Sequence, residues 1–385
     1  MYNLKNNLRR ISTVCQGLAI CSMLILGTAA QAESARTFKQ AYQDYQRAVL
    51  SQRPALTARY AQEAYDLAKA KLPKDSPTLS NLSLNLGRAL TGVRDPKSVR
   101  VLDRTLRQFE RRHGKQAPEL IDPLMALGNA ERIERVKSDG ENRYRRALQI
   151  AEKHFGPDDD LIIQLNLDIG GFILDLGSRD SREYLRKAQR LAEAKYPPLS
   201  EQLIKPTFWM GKYHLSNQAY DVAQAHFEAV AKTFDKLENG TNAPLALTNR
   251  AFLVEALEQQ GKSREATRHC RIIGAARPWQ EDQQQEPIYA KTVEYPQAAR
   301  YRGQAGYVIL EYSVNQDGFV DDPRIVELNG PDMFSDSVLA AFSEWRFAPR
   351  TVAGKAVRTD GLRHRITFEI DPGHVKGGST LNRFD

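Results

Sequence analysis

The sequence predicts a multidomain chain: an all-α solenoid of paired helices over residues 36–272, then a small α+β domain over 287–371 with one helix packed on a three-stranded antiparallel sheet. Three observations predict it. Small residues and helix breakers recur every 41–42 residues through the middle of the chain. The hydrophobic period changes from helical to two just after residue 306. The first 32 residues run basic, then apolar, then small, an order that belongs to export rather than to either domain. With 385 residues the chain is too long for one ordinary core, and 26% charged with 41% hydrophobic residues places it among soluble globular proteins.

The export segment comes first. "MYNLKNNLRR" is basic through Lys5, Arg9 and Arg10, "LAICSMLILGTAA" is apolar, and "AQA" ends at Ala32 with small residues where a signal peptidase needs them. Retained instead of cleaved, residues 11–30 just reach the length of a membrane span, although Ser12, Thr13, Gln16 and Ser22 dilute it. Both alternatives place the protein outside the cytoplasm. Cys15 and Cys21 lie inside this segment, so Cys270 stands alone in the remainder, with no partner for a disulfide or a metal site; "CRIIGAA" reads as a buried helical face.

The repeat follows. Pro73, Gly114, Gly156 and Pro197 each end a helical run, by a left-handed cap or by blocking continuation. Gly87, Gly128, Gly170 and Gly211 recur inside the first helix of each unit, and Ala64, Thr105, Ala147, Ala188 and Ala229 inside the second. A Gly within a helix costs about 1 kcal/mol relative to Ala. Its recurrence therefore predicts a close approach, with the small residue of the second helix expected on the other side. "YRRALQIAEKHFGPDDDLIIQLNLDIGGFIL" shows the unit: an amphipathic helix, a Gly-Pro stop, and a new apolar helix. The pattern resembles tetratricopeptide repeats in a form with extended helices, five units and a last half. That resemblance implies a protein or peptide held in the groove of the array.

Net charge is +8, and residues 286–372 carry ten Lys/Arg against thirteen Asp/Glu, so the excess positive charge lies in the repeats. For an exported chain this points to an anionic peptide, polymer or lipid surface, or simply a solvated face, and not to nucleic acid. Catalytic signatures are missing. The chain has no His-Glu-x-x-His, no Gly-x-Ser-x-Gly and no phosphate loop, and its histidines fall at no metal-ligand spacing. The run "GPDDDL", with carboxylates at 158–160, reads as a helix start. The expectation is a non-enzyme with no cofactor and no metal.

"RPWQEDQQQEP" supplies a linker, assigned to 273–286. The last domain opens with Val308, Leu310, Tyr312 and Val314 alternating against Tyr307, Ile309, Glu311 and Ser313. "NQDG" makes the turn, and a second strand runs from Phe319 to Leu328, edge-placed or bulged at Pro323. Asp332 is positioned to cap a helix whose face is Phe334, Val338, Ala341 and Trp345. A third strand, Leu362 to Ile370, alternates apolar residues with Arg363, Arg365, Thr367 and Glu369; 372–385 is left as a flexible tail.

Tyr295-Pro296, Ala298-Ala299, Gly303, Gly306-Tyr307-Val308, Asp317-Gly318-x-Val320, Met333-Phe334, "AFSEWRFAP" and Gly354 together resemble the C-terminal domain of the TonB family. The resemblance covers about 286–371. It implies a periplasmic domain of a Gram-negative envelope, anchored to the inner membrane if residues 1–32 are retained, that binds a segment of an outer-membrane receptor or another periplasmic protein as an added strand. Energy-coupled transport is the fuller family activity; a non-energised scaffold that pairs with a second copy of itself is the alternative. Strand addition assigns peptide contact to Glu294, Tyr295, Pro296, Leu362, Arg363, His364, Arg365, Ile366, Thr367 and Phe368. Gly303, Gly306, Asp317, Gly318, Trp345, Phe347 and Pro349 are the structural part of the motif, the last three locking helix to sheet. The sequence departs from the family in three places. The stretch directly before Tyr295, Lys291-Thr292-Val293-Glu294, lacks Gln and Pro, no Pro-rich rod precedes the domain, and residues 11–30 contain no His.

Overall fold

A computed structural model of the chain describes residues 36–133, 137–238, 240–276 and 285–369. The export segment, most of the linker, Ile370 and the tail lie outside the described residues. The chain divides into two compact units, Met1–Pro73 and Lys74–Asp385.

Among the described residues the first unit holds one helix pair, α1 (Phe38–Leu50) and α2 (Pro54–Lys69). Thr37 starts α1 with a capping box: its backbone N–H donates to Gln40 Oε1 at 2.8 Å, and its hydroxyl accepts from the Gln40 N–H at 3.3 Å. Ala41 and Ala48 on one helix and Ala61, Ala64 and Ala68 on the other are buried, so the two backbones pack closely.

Five pairs make up the helical part of the second unit: α3 (Pro77–Gly92) with α4 (Lys97–His113), α5 (Ile121–Ile133) with α6 (Lys137–His154), α7 (Asp160–Asp175) with α8 (Ser181–Lys195), α9 (Ile204–Ser216) with α10 (Tyr220–Asp235), and α11 (Pro244–Glu258) with α12 (Ser263–Ala276). The last is a complete pair, where the sequence predicted half a unit. Proline at the first turn begins α3 and α11, and the Asp159 side chain accepts the Leu161 N–H at 2.9 Å to begin α7. Gly114 ends α4 at φ +87°, a left-handed value. Within this unit each helix packs on the next, and first helices also touch between neighbouring pairs, α3 with α5, α7 with α9 and α9 with α11. That puts the first helices on the inner side of the array.

The glycine period turns out to be a row of sockets. A Cβ on Gly87 would lie 2.4 Å from Leu102, on Gly128 3.0 Å from Tyr144, on Gly170 2.5 Å from Leu185, and on Gly211 2.6 Å from Phe227. These partners are large, and they correct the expectation of a small residue opposite. Each seats in the gap the glycine leaves, and the small residues Thr105, Ala147 and Ala188 follow one turn later, fully buried. Ala229 is only half-buried, and Val230 takes the place in that unit.

The linker assignment is shortened at its start, because α12 continues to Ala276 with Ile273 and Gly274 buried. After the short α13 (Gln297–Tyr301) the terminal domain follows the expected order. Strands β1 (Gly306–Val314), β2 (Val320–Asn329) and β5 (Thr359–Phe368) form an antiparallel sheet in the order β2-β1-β5. In the β1–β2 turn, Asn315 Oδ1 accepts the N–H groups of Asp317 (2.9 Å) and Phe319 (3.1 Å), and Gly318 takes φ +84°. Arg324 faces Glu311 and Asp321 faces Ser313, so β2 bulges at Asp322-Pro323, as Pro323 predicted. Helix α14 (Met333–Phe342) covers the inner face of the sheet, burying Phe334, Val338, Ala341 and Phe342 against Val308, Leu310, Tyr312, Ile366 and Phe368. Asp332 precedes α14 but makes no side-chain cap, contrary to expectation. A second hairpin, β3 (Arg350–Val352) and β4 (Lys355–Val357), turns at Ala353-Gly354 and was not expected: strands of three residues are too short to show a period.

Candidate functional site

Of the two sheet edges, β2 and β5 are very different templates. The β1–β2 register shifts twice, at Ile309/Leu310 and at Glu311/Ser313, and β2 carries Pro323. Such an edge is blunted against pairing. In β5 the register runs unbroken from Leu362 to Phe368 opposite Tyr312 to Gly306. Those residues contain no proline, and β5 is the last strand of the sheet on that side. An extended chain can therefore add along it through backbone groups alone.

Side chains of β5 separate by parity. Ile366 and Phe368 are buried and Leu362 and His364 half-buried, all on the helix side, while Arg363, Arg365 and Thr367 are exposed. His364 lies 5.2 Å from the Trp345 ring and 5.9 Å from Phe342, and this burial pulls its imidazole down to about 4. The exposed face is a charge ladder. The Glu311 carboxylate takes Arg324 from β2 and Arg363 from β5, the latter at 3.2 Å, and both hold it below the usual carboxylate range. Arg365 stacks 3.8 Å from the Tyr307 ring centroid, and the Tyr307 hydroxyl donates to Glu327 at 2.5 Å.

The segment Glu294–Pro296 is brought to the Phe368 end of β5, so the two parts of the expected peptide contact meet. Tyr295 packs edge-on against Phe368 (5.4 Å between centroids) and Phe334 (5.7 Å), and its hydroxyl donates to the Gln304 carbonyl. Its ring is thereby part of the domain's own packing. Glu294 is exposed and its carbonyl accepts the Ser337 hydroxyl; Pro296 is half-buried at the start of α13.

Structural residues of the motif divide into two groups. Gly303 (φ +62°) ends α13, and Gly306 allows β1 to lie so close to β2 that a Cβ would come 1.9 Å from the Asn329 carbonyl oxygen. Trp345 donates its indole N–H to the Lys291 carbonyl at 2.9 Å, and Phe347 is buried beside it. Asp317, Gly318 and Pro349 instead meet α12: Asp317 pairs with Arg271, and Gly318 and Pro349 lie against Cys270 and Gly274. Arg346, in the middle of the motif, is the residue that sequence reasoning passed over. It is 1% exposed and pairs with Glu258 of α11. Its position inside an otherwise aromatic run was the one available signal.

The inner side of the array offers a second surface. Arg132 and Lys212 approach Asp175 at 3.3 and 3.7 Å, and Lys212 lies 4.4 Å from the Trp209 ring and 5.5 Å from Phe252. Burial holds the Lys212 ammonium below its ordinary range and pushes Asp168 up to about 6. The carboxylates at the start of α7 act as its cap and as partners of Lys195 (2.8 Å from Asp160). Among the described residues no group of three or more His, Cys, Asp or Glu comes together as a metal site.

Residues 291–370 match the family model described as the Gram-negative bacterial TonB protein C-terminal. This segment is similar to a TonB C-terminal domain. Protein TonB of Pseudomonas aeruginosa is 34% identical over 86 residues, which are 22% of this chain and 25% of that protein. The chain therefore spans about a quarter of the length of the curated relative it matches. Solved structures similar to the helical part include BtubC from P. vanneervenii (16% identity, 64% of this chain and 99% of that one, TM-score 0.48). The TPR-like repeats of a Podosopora anserina kinesin light chain align over 52% of this chain and 95% of that one, at 11% identity and TM-score 0.46. At such scores the repeat character rests on the array's own period and sockets. Among the described residues no helix is long and apolar enough to cross a membrane.

Proposed function

We propose that the protein is an envelope adaptor whose TonB C-terminal domain takes an extended segment of a partner protein as a fourth strand along β5. The carrying observation is the difference between the two edges: β5 is regular and proline-free from Leu362 to Phe368, whereas β2 is bulged and broken. The partner is an outer-membrane receptor or another periplasmic protein, and the inner side of the helical array is a second contact for protein or peptide. Linking two such contacts in one chain raises avidity without any new interaction. This reading contains no catalytic step and needs no cofactor.

The test uses the full chain immobilised against an envelope extract, followed by synthesis of the captured partner's extended segment. Methylating alternate backbone nitrogens of that peptide removes donors on one edge at a time. Strand addition requires that one of the two methylation phases weaken binding by about tenfold or more. Equal binding by both phases overturns it. If instead nothing is captured and the chain sediments as a concentration-dependent dimer, the edge pairs with a second copy.

A further inference from the structure

We propose that the terminal domain is the end-cap of the helical array, latched by Arg346, so that the two fold and open as one body. A solenoid exposes the apolar side of its last unit unless something closes it. Here the last helix α12 carries Cys270, Ile273 and Gly274 in buried positions, and the terminal domain is what closes over part of that side.

The Arg346 guanidinium is the centre of the contact. It pairs with the Glu258 carboxylate of α11, and donates to the Thr267 hydroxyl (2.9 Å) and the Ser263 carbonyl (3.4 Å) of α12 and to the Asp317 carbonyl (2.9 Å) of the β1–β2 turn. It also lies 3.7 Å from the centroid of the Phe319 ring. Glu258 in turn accepts the Ser263 hydroxyl at 2.5 Å. A buried cation needs its counter-charge close by, and here that carboxylate belongs to the array and not to the domain that carries the arginine. Undocking would separate each charge from its counter-charge.

Backbone geometry says the same without charge. A Cβ on Gly274 of α12 would lie 2.2 Å from the Pro349 carbonyl oxygen, and one on Gly318 would lie 3.3 Å from the Cys270 Cβ. Each side of the contact thus has a glycine where the other approaches. The segment between the two parts is stitched to both: Ile288 and Tyr289 pack on the core of α9–α12, while their N–H groups donate to the Arg346 carbonyl at 2.7 and 3.2 Å and Arg346 N–H donates to Tyr289 at 2.9 Å. Arg271 and Asp317 close the rim with an exposed ion pair.

Hydrogen exchange of the full chain, read over 263–276, 286–290 and 315–319, tests this with two variants. Gly274→Ala places a better helix former in α12, so a merely tethered domain predicts slower exchange there. The cap predicts the opposite sign, faster exchange over all three segments, because the methyl displaces Pro349. Arg346→Met leaves Glu258 buried without its cation, and the cap predicts exchange in α12 faster by about tenfold or more. If that variant unfolds the terminal domain, α12 still reports: deprotection supports the cap. Slower or unchanged exchange of α12 in either variant overturns it.

Discussion

At the scale of single residues, His364 sets an acid limit on the terminal domain. Its imidazole is held near 4 by burial against Trp345 and Phe342, whereas in the unfolded chain it titrates near 6.5. Between those values the unfolded state binds a proton that the native state refuses, so stability falls as pH drops from about 6.5 to about 4 and then stops falling on this account. The loss is on the order of 2 kcal/mol once the residue's partial exposure is allowed for. His364→Phe should flatten the dependence of the midpoint of urea unfolding over that range; an unchanged slope would show that His364 is solvated. His269 adds a loss of the same sign from the array, being held near 4 first by burial and then by Arg250. Site residues were unevenly legible. The inward and outward parity of β5 follows from its alternation, and Tyr295-Pro296 was found by its motif. That the Tyr295 ring packs inward, and that Arg346 faces a carboxylate 88 residues earlier in the chain, follows only from the packing.

At the scale of elements, the glycine sockets make a quantitative prediction. Leu185→Ala empties the gap over Gly170 and should cost about 2–5 kcal/mol. Gly170→Ala alone forces Leu185 aside, and overpacking of about 1–3 kcal/mol outweighs the gain of about 1 kcal/mol in helix propensity. The double variant should be less unstable than the sum of the singles, since the new methyl occupies part of the cavity; strict additivity in urea unfolding would show that the two residues do not touch. The period of 41–42 residues made helices, stops and sockets readable, because each unit repeats one packing solution. It did not reveal the identity of the partner, since glycine marks a gap without saying what fills it. Elements without a period, such as the β3–β4 hairpin, left no signal in the alternation.

At the scale of the whole molecule, neighbouring units are also joined by repeated charge pairs. Glu110 takes Arg146 and Glu152 takes Lys187, both at 2.6 Å and at equivalent places in successive second helices. Such partly exposed pairs contribute about 0.2–1 kcal/mol each. Glu110→Gln and Glu152→Gln should therefore each lower the melting temperature only slightly, and raising the salt should erase most of the difference; a large, salt-independent loss would mean a structural role beyond charge. The sequence by itself determined that this protein is a helical array with an unlike domain at its end, because hydrophobic period, helix stops and turn glycines are local properties of the chain. It also determined where the three strands of that domain's main sheet lie. Only the tertiary structure decided which sheet edge is regular, and that the domain rests on α11 and α12. Both depend on meetings between residues far apart in sequence, Arg346 with Glu258 and Pro349 with Gly274, whose complementary shape and charge exist only once the chain has folded.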